Sequence, residues 1–298
     1  MTAALLALVG PTGAGKTALA LELARRTPIE VVSLDSVQLY RGFDIGSAKA
    51  TGAERATLPH HLVDVAEPDE RWSAARWLTA AERAILDVRA RGNVPLVCGG
   101  TGLYLRALTT GLAELPAADD ALRARLLDEE RATPGSLHAR LRTLDPTTAS
   151  RLAPRDLVRV IRAIEVQTAT GRPLSEHHET HAASRAAHAP TVLFLDPPLP
   201  LHDAALRRRS DEMLRAGLVD EARTLRARWG AVQPLEAVGY KEAIAALDGH
   251  LPETELAARI TLASRQFARR QRTWFKKAPG VQRFEHPAEL LEAALRLL

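Results

Sequence analysis

Four short apolar runs punctuate the chain: "LLALVG" ending at Gly10, "IEVVSLDS" carrying Asp35, "VPLVCGG" ending at Gly100, and "TVLFLD" ending at Asp196. Each is too short for a helix and too continuously apolar for a strand with one wet face, which predicts buried strands of a parallel sheet. Longer stretches at helical spacing lie between them. Lys16 to Arg26 follows the first run, and Ser73 to Gly92 begins at a serine that caps and ends at a glycine that stops. "GTGLYLRAL" opens another helix. From about Pro116 to Ala189 the pattern becomes arginine, alanine and leucine at helical spacing, broken at Pro134, Pro146, Pro154 and Pro173, with no strand-like run. Helical patterns follow Asp196 almost to the end. Strands on both sides of a helical block predict an α/β fold: a P-loop NTPase-like parallel sheet core flanked by helices, built from residues 1–115 and 190–298, with an all-helical insertion domain at 116–189.

The turn after the first strand carries chemistry. Gly10, Pro11, Thr12, Gly13, Ala14, Gly15, Lys16 and Thr17 fit G-x-x-x-x-G-K-[ST]. That spacing wraps backbone N–H groups around a diphosphate, sets a lysine on its outer oxygens and offers a hydroxyl to magnesium. Such a loop needs an acidic partner at a strand end, and Asp35 and Asp196 are the candidates. Asp196 runs into "PPLP" and reads as a strand-ending turn, whereas Asp35 runs into the polar stretch "SVQLYRGFDIGSAK". On these residues alone the loop favours nucleotide hydrolysis or phosphoryl transfer, since most such loops hold a nucleoside triphosphate.

Composition narrows the setting. The 298 residues are 46% hydrophobic and 26% charged, as in ordinary globular proteins, and no apolar run approaches the roughly 18 residues of a membrane span. "MTAALLALVG" reads as a first strand without the basic start or cleavage site of a signal peptide, which predicts a cytoplasmic protein. Cys98, the sole cysteine, excludes an internal disulfide and a cysteine-based zinc site, and its apolar surroundings predict a small buried residue. The histidines of "HHETH", His177 to His181, are not in H-E-x-x-H order and read as an exposed end of the insertion. The net charge of +4 is modest, but Arg259 to Lys277 holds seven basic residues and no acidic one. That run is either a solvated helix face or a nucleic-acid surface.

Six blocks in order resemble the tRNA dimethylallyltransferase (tRNA isopentenyltransferase) family of bacterial type: "GPTGAGKT" from Gly10, "DSVQLYRGFDIGSAK" from Asp35, "PHHLVDV" from Pro59, "GGTGLYLRAL" from Gly99, "VGYKE" from Val238 and "RQFARRQRTWFKK" from Arg265. The resemblance implies transfer of a dimethylallyl group from its diphosphate to the exocyclic amine of the adenosine 3′ of the anticodon, with Mg2+ as cofactor held through Thr17. It implies Asp35 as the carboxylate that orients the amine and takes its proton, Thr101 beside donor and adenosine, and Arg209 on the diphosphate. It implies tRNA contacts at Asp35, Ser36, Val37, Gln38, Thr101, Arg123, Val158, Arg159, Arg162, Arg269, Arg270, Arg272, Trp274 and Lys276. The partners implied are the tRNA anticodon stem-loop and dimethylallyl diphosphate, for a monomeric protein. Ala205 stands where the family often has an arginine, which shifts that charge to Arg207 or Arg208. Transfer to free AMP and a P-loop small-molecule kinase remain the rival readings, and both lack a use for the basic helical surface.

Overall fold

Along the first strand, β1 (Leu6–Val9), Ala7 and Val9 join one apolar cluster while Leu6 and Leu8 join another. The period of two sends neighbours to opposite faces, and both faces are covered. The same division holds in β2 (Ile29–Leu34) and in β5 (Thr191–Leu195). With β3 (His60–His61), β4 (Val94–Gly99) and β6 (Gln282–Phe284) they form one all-parallel sheet in the order β3-β2-β4-β1-β5-β6. This is a computed structural model that describes residues 5–182 and 190–298. The start of "MTAALLALVG" and the end of the helical block at Ala189 lie outside the described residues.

The helices are α1 (Lys16–Ala24), α2 (Gly52–Thr57), α3 (Ala74–Ala90), α4 (Gly102–Thr110), α5 (Asp120–Ala132), α6 (Ser136–Leu144), α7 (Pro146–Ala149), α8 (Leu157–Thr170), α9 (Leu174–Ala182), α10 (Leu199–Arg215), α11 (Leu218–Trp229), α12 (Tyr240–Leu247), α13 (Glu253–Phe275) and α14 (Pro287–Leu297). The chain divides into two units, one of Met1–Thr109 with Ala187–Leu298 and one of Thr110–Ala186. In the first, α1 and α14 cover one face of the sheet through Leu19, Leu23, Leu290 and Ala294. Helices α3, α4 and α10 to α13 cover the other through Trp77, Leu105, Met213, Leu218, Tyr240 and Ile260. Trp77 is fully buried, stacks on Tyr104 at 4.6 Å and donates its indole N–H to the Ser33 carbonyl at 3.0 Å, which pins β2 just before Asp35.

In the second unit α5 to α9 close on Leu122, Leu126, Leu137, Leu141, Val160 and Ile164. Two buried carboxylates organise it. Asp145 accepts the Thr148 and Ser175 N–H groups, each at 2.9 Å, and Glu165 accepts Arg123 at 2.9 Å, the Asp119 N–H at 2.6 Å and Arg162. Among the described residues no helix is long and apolar enough to cross a membrane. The two outermost strands, β3 and β6, were missed by periodicity, because two or three residues are too few to display a period.

Candidate active site

The loops that leave β1, β2 and β4 at their carboxyl ends line one cavity of about 680 Å³, the usual ligand position on a parallel sheet. The β1 loop is the glycine-rich one. Gly15, at φ 92°, caps α1 in the left-handed region that favours glycine. No backbone hydrogen bond among the described residues takes the N–H of Gly13, Gly15, Lys16 or Thr17, so the helix start presents unpaired donors to the cavity. Lys16 Nζ donates to the Gly10 and Pro11 carbonyls at 2.8 and 3.0 Å. Burial lowers its pKa to about 8, against the opposing pull of Cys98 and Asp35. Thr17 is exposed at the end of the loop.

Asp35 follows β2. Its Oδ1 accepts the N–H groups of Val37 and Gln38 at 2.8 and 3.2 Å, a local turn, while Oδ2 has no hydrogen-bond partner among the described residues. Thr101 follows β4. The Leu34 carbonyl accepts both the Gly100 and the Thr101 N–H at 3.0 Å, tying the two strand ends together. Thr101 Oγ1 accepts the Ser36 N–H at 3.1 Å, so this hydroxyl reaches across to the Asp35 loop. Gln38 spans its own loop, donating Nε2 to the Ser47 and Ala48 carbonyls at 3.3 Å.

Two further blocks support that loop. Lys49, its side chain 2% exposed, donates to the Tyr40 carbonyl, to Asp44 and to Asp64, the last two at 2.6 Å. Glu221 of α11 accepts the N–H groups of Ile45 and Gly46 and the Tyr240 hydroxyl, the last at 2.5 Å. Tyr240 is buried beside that carboxylate, and both effects push its hydroxyl pKa up.

The remaining walls come from α10 and α13. Ala205, Arg209 and Met213 lie at four-residue spacing on the cavity side of α10, and Arg209 reaches toward the Ser47 carbonyl at 3.5 Å. Burial lowers the Arg209 pKa while Asp35 and Glu212 oppose the shift. Arg207 and Arg208 are exposed and do not line the cavity, so neither replaces charge at Ala205: positions 207 and 208 fall off the helix face that carries 205, 209 and 213. Ile260, Phe267, Arg270 and Gln271 of α13 line it too, as does the segment from Gln233 to Val238 before α12. Cys98 is half-buried, packed against one apolar cluster of the sheet while also lining the cavity, where the expectation was a buried residue; loss of solvent around the thiol raises its pKa to about 11.

Arg269 and Arg270 of α13 and Lys276 just past its end are exposed, and Trp274 is 38% exposed. Arg272 differs from the expectation of a phosphate contact. Its side chain is 13% exposed and donates to Asp196 at 2.5 Å and to His202 Nδ1 at 3.1 Å. Asp196 also accepts Arg283 at 2.7 Å, and the two guanidinium groups hold its pKa down against burial. In the second unit Val158 is 83% exposed and Arg159 is exposed, while Arg123 and Arg162 are oriented by Glu165. His177 contacts the Thr170 hydroxyl at 3.1 Å, the His181 side chain lies outside the described residues, and no group that could hold a metal through three His, Cys, Asp or Glu occurs among the described residues.

The family model described as IPP transferase matches residues 38–278, and one described as isopentenyl transferase matches residues 3–63. The chain belongs to this family. A tRNA dimethylallyltransferase of Anaeromyxobacter sp. (strain Fw109-5) is 48% identical over 296 residues, covering 98% of each chain. That of Methylibium petroleiphilum is 50% identical over 285 residues, covering 92% of this chain and 86% of its own. The full-length tRNA isopentenylpyrophosphate transferase of Bacillus halodurans superposes with a TM-score of 0.70 at 33% identity, covering 99% and 97% of the chains. A eukaryotic dimethylallyltransferase solved acting on tRNA gives 0.77 at 26% identity, covering 94% of this chain and 73% of its own. The six blocks that carry the family resemblance thus meet at one cavity. The motif reading missed Gln271, His202 and Glu221, which touch loop backbones in it; Gln271 sits inside the block "RQFARRQRTWFKK", where its place on the buried helix face between Arg270 and Arg272 was the available signal.

Proposed function

We propose that this protein moves a dimethylallyl group from dimethylallyl diphosphate to the exocyclic amine of the adenosine 3′ of the anticodon in tRNA. One observation carries the reading: unpaired loop donors with Lys16, and a carboxylate with a free oxygen, line the same cavity. The allylic carbon–oxygen bond breaks and its electron pair leaves with the diphosphate, where N–H groups, Lys16 and Arg209 meet the growing charge. The amine lone pair forms the new nitrogen–carbon bond and its proton passes to Asp35 Oδ2, with Oδ1 held by the Val37 and Gln38 N–H groups and Thr101 aligning the loop. Met213, Ile260 and Phe267 offer apolar surface suited to the prenyl group. The exposed Thr17 hydroxyl lines the cavity next to Lys16 and would hold magnesium, which would add positive charge at the leaving group.

The adenosine must leave its stack to be modified, so the anticodon loop has to be held elsewhere. Arg269, Arg270 and Trp274 of α13 and Lys276 at its end offer exposed side chains for that purpose, and Arg123, Val158, Arg159 and Arg162 give the helical insertion a matching role. The proposal includes a cytoplasmic monomer. Incubation with donor and either unmodified tRNA or AMP, followed by nucleoside mass analysis, tests it: isopentenyladenosine in tRNA is expected, and modification of AMP alone would overturn the tRNA assignment.

A further inference from the structure

Helix α13 is fastened to two of the loops that frame the cavity. Gln271, 5% exposed, accepts the Thr12 N–H at 2.8 Å and donates its Nε2 to the Gly100 carbonyl at 2.9 Å. The approach is so close that a Cβ at position 100 would stand 2.4 Å from that nitrogen, which leaves glycine as the residue that fits. His202 of α10 grips Thr12 from its other polar group, with Nε2 at 2.8 Å from the Thr12 carbonyl. Arg272 donates to His202 Nδ1, so the ring is the neutral tautomer that carries its proton on Nε2. Both backbone groups of Thr12 are thereby engaged by side chains, behind the N–H groups that face the cavity. Three residues beyond Gln271, Trp274 lies over Gly102 and seats the same helix against the Thr101 turn.

A buried amide with both ends satisfied sets geometry in a way that an apolar residue of the same size does not. We infer that Gln271 is a positioning residue: its one amide bridges the diphosphate loop and the Thr101 turn, and so sets the spacing between leaving group and acceptor. The inference rests on the transfer reading above. Each substrate binds its own wall of the cavity, so a slackened bridge leaves both affinities in place and slows only the step that joins them. A misplacement of about 1 Å can cost on the order of a hundredfold in rate.

The test uses the full-length protein with Gln271→Met, which keeps length and loses both hydrogen bonds, and Gln271→Glu, which keeps an acceptor for Thr12 and loses the donor to Gly100. Hydrogen exchange without substrates is expected to quicken over residues 10–17 and 99–105 in the Met variant, and chiefly over 99–105 in the Glu variant. Single-turnover rates at saturating donor and tRNA should fall about ten- to hundredfold in the Met variant. Dissociation constants for magnesium diphosphate and for tRNA should stay within about threefold of the parent. Unchanged exchange over both segments, or a rate loss matched by equal losses of both affinities, would overturn the inference and make Gln271 a packing residue. A parent protein that transfers no dimethylallyl group would sink the reaction reading instead, while the exchange pattern decides the bridge by itself.

Discussion

Asp35 divides its two oxygens between two tasks, since Oδ1 holds the turn and Oδ2 is left to the cavity. Asparagine keeps an oxygen for the Val37 and Gln38 N–H groups and loses the proton acceptor. Asp35→Asn should therefore lower the single-turnover rate by about 10² to 10⁴ while tRNA affinity holds. Retention of most of the rate would remove Asp35 as the base. Lys16 makes a pH-dependent prediction. Its pKa of about 8 means that the free protein loses this positive charge as pH rises through 8, so kcat/KM for the donor should decline above that pH. Lys16→Ala should lower the rate and erase that decline; an identical alkaline limb in the variant would assign it to another group. The placing of Lys16 in the loop after the first strand and of Asp35 at the end of the second was legible in the sequence, from the glycine-rich spacing and the apolar runs, while Thr101 was reached only through the family resemblance. Gln271 and His202 were not, since their partner Thr12 lies 259 and 190 residues away and only packing brings them to it.

At the scale of elements, α13 shows why a run of charge is not one surface. Its helical period buries Leu256, Ile260, Ser264, Ala268, Gln271 and Phe275, turns Arg272 inward and leaves Arg269 and Arg270 outside. The double variant Arg269→Gln, Lys276→Gln, at exposed positions that do not line the cavity, should weaken tRNA binding and flatten its log–log salt dependence by somewhat under about one unit per lost phosphate contact. Diphosphate binding should be nearly unchanged, and a parental salt slope would show the exposed pair to be merely solvated. Arg272→Gln belongs to a different class. It leaves the buried Asp196 with Arg283 alone and should cost about 3 kcal/mol of stability, read from denaturant unfolding. The four long strands and α1 and α3 were legible from periodicity and caps, as when Ser73 accepts the Arg76 N–H at 3.1 Å. Strand order was not, because β4 inserts between β1 and β2 through pairing that no local pattern records.

For the whole molecule, the end of the sheet away from the cavity bears on stability. Glu30, at the start of β2, is buried and accepts Arg91 twice, at 3.0 and 2.7 Å, with Asn93 and His61 adding bonds. The Arg91 hydrogen bonds, against burial, hold its pKa at about 2. A carboxylate depressed on folding stabilises above its unfolded pKa, and the gain fades as pH falls from the ordinary glutamate range toward 2. Unfolding free energy should thus drop between about pH 5 and pH 2, and Glu30→Gln should lower it at pH 7 and remove part of that slope. Equal slopes in parent and variant would clear Glu30 of this role. The margins of the sheet have another consequence. β3 is two residues long and β6 three, so the rows of N–H and C=O groups at both flanks are too brief to template a strand from a second molecule, and a protein meant to clasp a long polyanion has little tendency to zip onto itself through its sheet.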